Sequence, residues 1–503
     1  SFGENAVGAA IAVMVNDSTV NASLIGDTKK EKTISADGIT VEADNAYNGS
    51  ASDSSSDSSA KTVAIGMAGG TSQFAGSGSV TVNKINQTTH ATMGKGKYEA
   101  NDKAVSVEAK NKANLFGMAG GLTISAGSGV GAAVDVQTYD GHTYAGIEDG
   151  VSLKKASQVT VNAESEENLM SIGATVAGGF GSFAGAGAAG AHSIKTDTKA
   201  YIGNDKDETI AEADQANLTE AGNVSVTAKD TTKLHTAAGS GGVGSSAGVG
   251  LSAAVEVVDK NVNAYVGNHT NVSGDSLTVK AENTSDSLTE AAGLGVGGTA
   301  GVAGAASETF VNHTTNAYVG KNATVTAKDK AEIAAISSFK QSACSGGVGG
   351  AGNVGIGLAN STVSLTATTK AYADNGAHIS GGKKVNIQAD HTSDLTYATV
   401  AGGGSGTIGV SGAVGVNTLH TTTKAYGGTN TELSAESAEN NEGISVTASD
   451  TTKLHGGNGA AAIGISAGGV GAAEAVTNIT KDTEAYVDTE AKLDSKGQIT
   501  LDA

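Results

Sequence analysis

Apolar and polar residues alternate with a period of two along most of the chain, and no segment sustains the 3.6-residue stripe of an amphipathic helix. The shortest clear instance is VSVTA at 224–228: Val224, Val226 and Ala228 share one face, Ser225 and Thr227 the other, as in a half-buried strand. The same motif recurs as ITVEA 39–43, VSVEA 105–109, VTVNA 159–163, LTVKA 277–281, AEIAA 331–335, VNIQA 385–389, ISVTA 444–448 and ITLDA 499–503. Between these motifs lie runs of small, uncharged residues, best seen in TAAGSGGVGSSAGVGLSAAV at 236–255. Comparable runs occupy 64–82, 117–136, 171–191, 291–306, 342–361, 398–417 and 456–473, with a truncated copy at 6–13. Inside the run at 236–255, Val243, Ala247, Val249, Leu251, Ala253, Val255 and Val257 fall on one face, and Gly244, Ser246, Gly248, Gly250, Ser252 and Ala254 on the other. Past Asp259-Lys260-Asn261 the apolar phase moves to Val262, Ala264 and Val266, which predicts a bend or bulge between two strands.

The spacing of these marks sets the architecture. The closing alanines of the V-x-V motifs are 66, 54, 65, 53, 54, 54, 59 and 55 residues apart. A second mark, an Ala-Tyr pair at Tyr201, Tyr265, Tyr318, Tyr372, Tyr426 and Tyr486, keeps intervals of 64, 53, 54, 54 and 60. Two independent marks with one period define about nine units of about 54 residues. The longer intervals are filled by polar stretches at 205–223 and 431–443, where an array tolerates inserted loops, and NGSASDSSSDSSAK at 48–61 reads as a mobile segment. VSVTAKDTTKLH at 224–235 returns as ISVTASDTTKLH at 444–455, which suggests growth by duplication of four-unit blocks.

Glycine decides how the units must pack. Each glycine inside a strand costs roughly 0.5–1 kcal/mol relative to alanine, so a run with six or seven needs a regular compensation. Close approach of a second sheet supplies one, because a face of Gly, Ser and Ala admits a neighbour that Val or Leu would hold off. The prediction is an all-β parallel β-solenoid with Gly/Ala-rich interior strands buried on both faces, one continuous array over residues 1–503. One small-residue run per unit favours one wide coil per repeat over three narrow ones, so nine coils would rise roughly 40 Å at about 4.8 Å each.

Composition narrows the function classes. The chain contains no Pro, no Trp and no Arg, and carries a formal net charge of −20. Absence of Pro suits uninterrupted ladders. Absence of the Arg fork and the acidic balance count against phosphate chemistry and nucleic acid. No stretch has the length and apolarity of a membrane-spanning helix, and no signal peptide is visible. The chain begins inside a repeat and closes on one, so a segment of a longer protein is expected.

Candidate chemistry is sparse. Gly239-x-Gly241-x-x-Gly244 and Gly293-x-Gly295-x-x-Gly298 match a dinucleotide fingerprint, but neither opens a helix, and with 73 glycines such matches arise by chance. The ten histidines stand singly and show no metal-ligand spacing. Cys344, the only cysteine, reads as a buried small residue. Acidic loops such as NDKDE at 204–208 read as solvated rather than as calcium ligands. No catalytic, cofactor-binding or metal residue is assigned; the only candidate contact residues are the six tyrosines, as a partly exposed packing ladder or as an aromatic stripe.

Units with a GAGG-type run ending in V-G-x-x-x-A-V, followed by T-K-A-Y-I/V-G and V-x-V-x-A, resemble the repeats of very large filamentous adhesins of Gram-negative anaerobes, the leukotoxin-type and filamentous-haemagglutinin-like exoproteins. The resemblance covers the whole chain as a style of repeat and transfers no functional residue. It implies export to the cell surface or medium, and a non-catalytic rod that holds binding regions away from the cell. Expected partners are extracellular macromolecules on host or neighbouring cells, or other copies of the chain. Two other classes stand beside this one: a self-assembling matrix or ice-binding solenoid, suggested by TATTK and TTTK, and a β-helix polysaccharide-active enzyme, which would need a localised acid, base or calcium cluster.

Overall fold

The computed structural model describes residues 2–27, 29, 31–47, 60–205, 215–437 and 442–503. The segment at 48–61, the middle of the insertions at 205–223 and 431–443, and Asp207 and Glu208 of the acidic cluster fall largely outside those residues. The described chain is a parallel β-solenoid: every strand pairs in parallel with the equivalent strand one repeat on. One repeat is one coil. In the sixth coil an outgoing strand, Ser276–Gly297, turns at Gly298-Thr299 into a return strand, Ala300–Val319, and a short strand, Thr324–Ala327, leads to the next outgoing strand at Lys330. The register steps by whole repeats, with Val279 beside Ile333, Val302 beside Ile356 and Val325 beside Ile379.

The V-x-V motifs begin the outgoing strands and the Ala-Tyr pairs end the return strands. Both therefore lie at the broad base of the coil, where three sheets meet. Val226, Val279, Ile333 and Ile387 form one buried column there, and Ala264, Ala317, Ala371 and Ala425 another, in the largest apolar core. The turn after each Ala-Tyr pair puts one residue in the left-handed region, at His269, Asn322, Asn430 and Glu490 (φ 53–60°), while Gly376 supplies φ 69° in the seventh coil. Asn side chains accept from the next coil's backbone in these turns, as Lys321 N to Asn268 Oδ1 at 2.8 Å and Thr429 N to Asn375 Oδ1 at 3.0 Å.

The glycine-rich runs depart from expectation in two ways. Each full run is folded in half, whereas the truncated copy at 6–13 lies within one strand, Phe2–Ile25. The run at 236–255 ends one strand at Gly244, turns at Ser245-Ser246 and starts the next at Ala247. Asp259-Lys260-Asn261 makes no bend: Ala247–Val266 is a single strand whose pairing is unbroken on both sides. What changes past Val257 is which side is apolar, not which way the side chains point. The runs are also not buried on both faces. Gly244, Gly248, Gly250, Ser252 and Ala254 face inward, while Leu251 is 52% exposed and Val243 and Val257 are exposed with it.

The narrow end is therefore a thin slab. A Cβ on Gly242 would overlap the carbonyl of Val249, and one on Gly295 the carbonyl of Val302, so the sheets meet backbone to backbone. Sheets separated by ordinary side chains lie about 10 Å apart. Here any larger inward residue would wedge them open, which is why the small residues alternate on this one face.

Candidate functional surfaces

Between the broad apolar base and the glycine slab, the interior holds a belt of buried polar side chains. Strict alternation puts it there: counting in twos from Gly250 brings Glu256 and Lys260 inward with Val258 between them. Lys260 Nζ lies 2.6 Å from Asp230 Oδ1 on the facing outgoing strand, with both side chains fully buried. Lys260 also donates to the carbonyl of Thr284 at 3.0 Å, and Thr198 Oγ1 donates to Asp230 Oδ2 at 3.1 Å. One coil earlier, Glu167 accepts from Thr232 Oγ1 at 2.8 Å and from Ser165 Oγ at 2.5 Å. Burial first, and the Asp230 carboxylate second, push its carboxyl up to about 8, against a smaller opposing pull from Lys260. Thr236 Oγ1 donates to Glu256 Oε1 at 2.7 Å and faces His192 Nδ1 at 2.7 Å, which assigns the imidazole proton to Nδ1.

Two further histidines belong to the belt. His313 is edge-on to Phe339 at 5.9 Å, and burial, then Lys260, hold it well below the usual imidazole range. His391 bonds Ser393 Oγ at 2.7 Å and is lowered to about 4, chiefly by burial. These side chains are enclosed by the two sheets, so the belt binds and orients only other parts of the protein. No motif marks it in the sequence; its one signal is the unbroken alternation from Gly250 to Lys260.

The six tyrosines stack in one column. Ring centroids lie 5.5 Å apart for Tyr201–Tyr265, 4.9 Å for Tyr265–Tyr318, Tyr318–Tyr372 and Tyr372–Tyr426, and 5.1 Å for Tyr426–Tyr486, with interplanar angles of 1–14°. The rings point away from the interior, as the alternation requires, yet Tyr265 and Tyr318 are only 5% and 8% exposed. Tyr201 donates to Glu148 at 2.6 Å and Tyr318 to Asp205 at 3.2 Å. Burial is the main cause that raises all five phenols from Tyr201 to Tyr426 above their ordinary range.

The outer face near the base carries a charge ladder. Asp44, Lys110, Glu164, Lys229 and Glu282 are successive register partners, with Lys229 Nζ 2.9 Å from Glu164. Being exposed, such pairs contribute about 0–1 kcal/mol each, and they favour this register over a slip by one coil. Cys344 is half-buried on the outer face of an outgoing strand rather than inside it, between Glu290 and Ala398 in register, and burial raises its thiol pKa. Among the described residues, no group of three or more His, Cys, Asp or Glu is placed to hold a metal ion. The same residues include no helix long and apolar enough to cross a membrane.

The fold defines the class: a parallel β-solenoid of wide, flattened coils. No family model, curated protein or solved structure matches the chain.

Proposed function

We propose that this chain is a non-catalytic rod, a stalk segment of a secreted or surface-exposed filamentous adhesin. The observation that carries the reading is the uniformity of the coils: one repeat makes one coil, and strand, alanine and tyrosine columns run through the array in register. A solenoid built this way transmits load through parallel ladders and lengthens by adding coils. Its ionisable departures from uniformity, around Asp230, Glu167 and Glu256, are enclosed and out of reach of a polymer substrate.

The matrix or ice-binding alternative draws less support. In TTTK, Thr421 and Thr423 point inward and are fully buried, leaving Thr422 outside. Its outward row runs Asp197, Asn261, Thr314, Thr368, Thr422, Asp482, not an unbroken threonine array. The test is adhesion itself. Beads coated with the chain alone should bind cells no better than blank beads. The same chain spliced between a known binding tip and its anchor should preserve attachment while lengthening the reach. Release of products from acidic polysaccharides, abolished by a substitution in one coil, would overturn the reading.

A further inference from the structure

The glycine slab inverts the usual arrangement of a sheet: small residues face the interior and the larger apolar residues face out. On the return strands, four outward rows next to the turn run the length of the array, through Ala247, Val249, Leu251 and Ala253 and their register partners. In the nine return strands, the only charged residue on these rows is Glu474, in the last coil. Four rows of two residues at about 3.3 Å span about 26 Å, and nine coils at about 4.8 Å span about 43 Å, giving a face of roughly 1,100 Å². Apolar patches on monomers seldom exceed a few hundred Å², and a stable interface takes about 800 Å² from each partner.

The relief of this face suits a second copy. Along one row the residues are Leu251, Gly304, Leu358 and Gly412. Leu251 and Leu358 are 52% and 50% exposed, and between them lies a shallow apolar recess lined also by Ala306 and Val414. Ridges and dents thus alternate every coil, with ridges about 9.6 Å apart. A two-fold axis perpendicular to the solenoid, passing midway between Gly304 and Leu358, sets Leu358 against the partner's Gly304 and Leu251 against the partner's Gly412. Ridge meets dent along this row, while in the row beside it Val302 packs on Ile356 and Val249 on Val410. Coils four to nine of each copy overlap, about 29 Å by about 26 Å or roughly 750 Å² from each, and the contact is closed and self-complementary. The outer face of the outgoing strands lacks this alternation and carries Glu290 near its middle. A lipid surface is less well matched, since a chain with net charge −20 and no Arg gains nothing from anionic headgroups.

We propose that two copies of this chain pair side by side, antiparallel, through the outward Leu/Gly face of the return strands. The pairing buries the side chains that the thin slab leaves outside, and it joins rods laterally rather than end to end. It goes beyond the stalk reading and does not depend on adhesion.

Sedimentation velocity on the full 503-residue chain tests it, with L251K/L358K as the probe and V400K on the opposite face as the control. Both leucines are half exposed, so the lysines can extend into water in the separate chain, and circular dichroism and melting should match the wild type. The expected result is a dimer that V400K retains and that L251K/L358K weakens by ~100-fold or more, because the lysines would be unpaired inside a dry contact. A chain that stays monomeric to about 100 μM overturns the proposal, as does a dimer indifferent to L251K/L358K. Flotation of the wild type with neutral phosphatidylcholine vesicles, lost in L251K/L358K, would assign the face to lipid and overturn it as well.

Discussion

At the scale of single residues, the buried polar belt sets the largest individual energies. Lys260 and Asp230 are fully enclosed, so removing one charge leaves the other without a partner. Lys260→Met should cost about 3–5 kcal/mol, whereas Lys260→Met with Asp230→Leu should recover most of the loss. Denaturant titration of the two variants checks both. Glu167 gives a pH signature. Its folded pKa of about 8 lies above the ordinary 4.5, so the folded state holds the proton more tightly, and this contribution is full in acid and is lost as pH rises from about 4.5 to about 8. Glu167→Gln should remove that slope and be relatively more stable than the wild type at pH 8.5. His391 acts in the opposite sense. Its pKa is lowered from 6.5 to about 4, so stability is lost as pH falls through that window, and His391→Asn should flatten the acid limb of a melting-temperature profile.

At the scale of elements, the same strand shows what the sequence displays and what it hides. Alternation marks the strands, and their spacing marks the coil, so the V-x-V columns and the tyrosine stack were legible at once. The sidedness of the glycine runs was not. Apolar Val and Leu conventionally face a core, so the change of apolar side after Val257 reads as a bend, when the strand runs straight through it. The turn at Ser245-Ser246 leaves no mark in the sequence, because its residues differ little from those around it. Glycine itself supplies a test of sidedness. Gly242 faces the slab interior, where a Cβ meets the Val249 carbonyl, and Gly239 faces outward with open space about it. Gly242→Ala should cost about 1–3 kcal/mol through overpacking. Gly239→Ala should be neutral or stabilise by about 0.4–1 kcal/mol through the unfolded chain. Thermal unfolding of the pair would show the interior face directly. Replacing Tyr318 and Tyr372 together by Ser breaks three stacks worth about 0.5–1.5 kcal/mol each beyond burial, so the double variant should lose about 1.5–4.5 kcal/mol from stacking alone, with the lost ring burial in addition. If adhesion by a tip-bearing chain falls only with the folded fraction, the column is a packing ladder. Unchanged stability with lost attachment would make it a contact stripe.

At the scale of the whole molecule, the account rests on one repeat making one wide coil, which fixes the rise, the columns and the two broad faces together. Spin labels on a single outward row measure that rise. Asn261 in the fifth coil and Asp482 in the ninth are joined by register through Thr314, Thr368 and Thr422. With Cys344→Ser as background, labels at Asn261→Cys and Asp482→Cys are four coils apart, about 19 Å along the axis at about 4.8 Å per coil. Double electron–electron resonance should give a narrow distribution near 20 Å, widened only by the label arms. A distance near 58 Å, the value for about three narrow coils per repeat, or a broad distribution without a peak, would contradict the wide-coil solenoid.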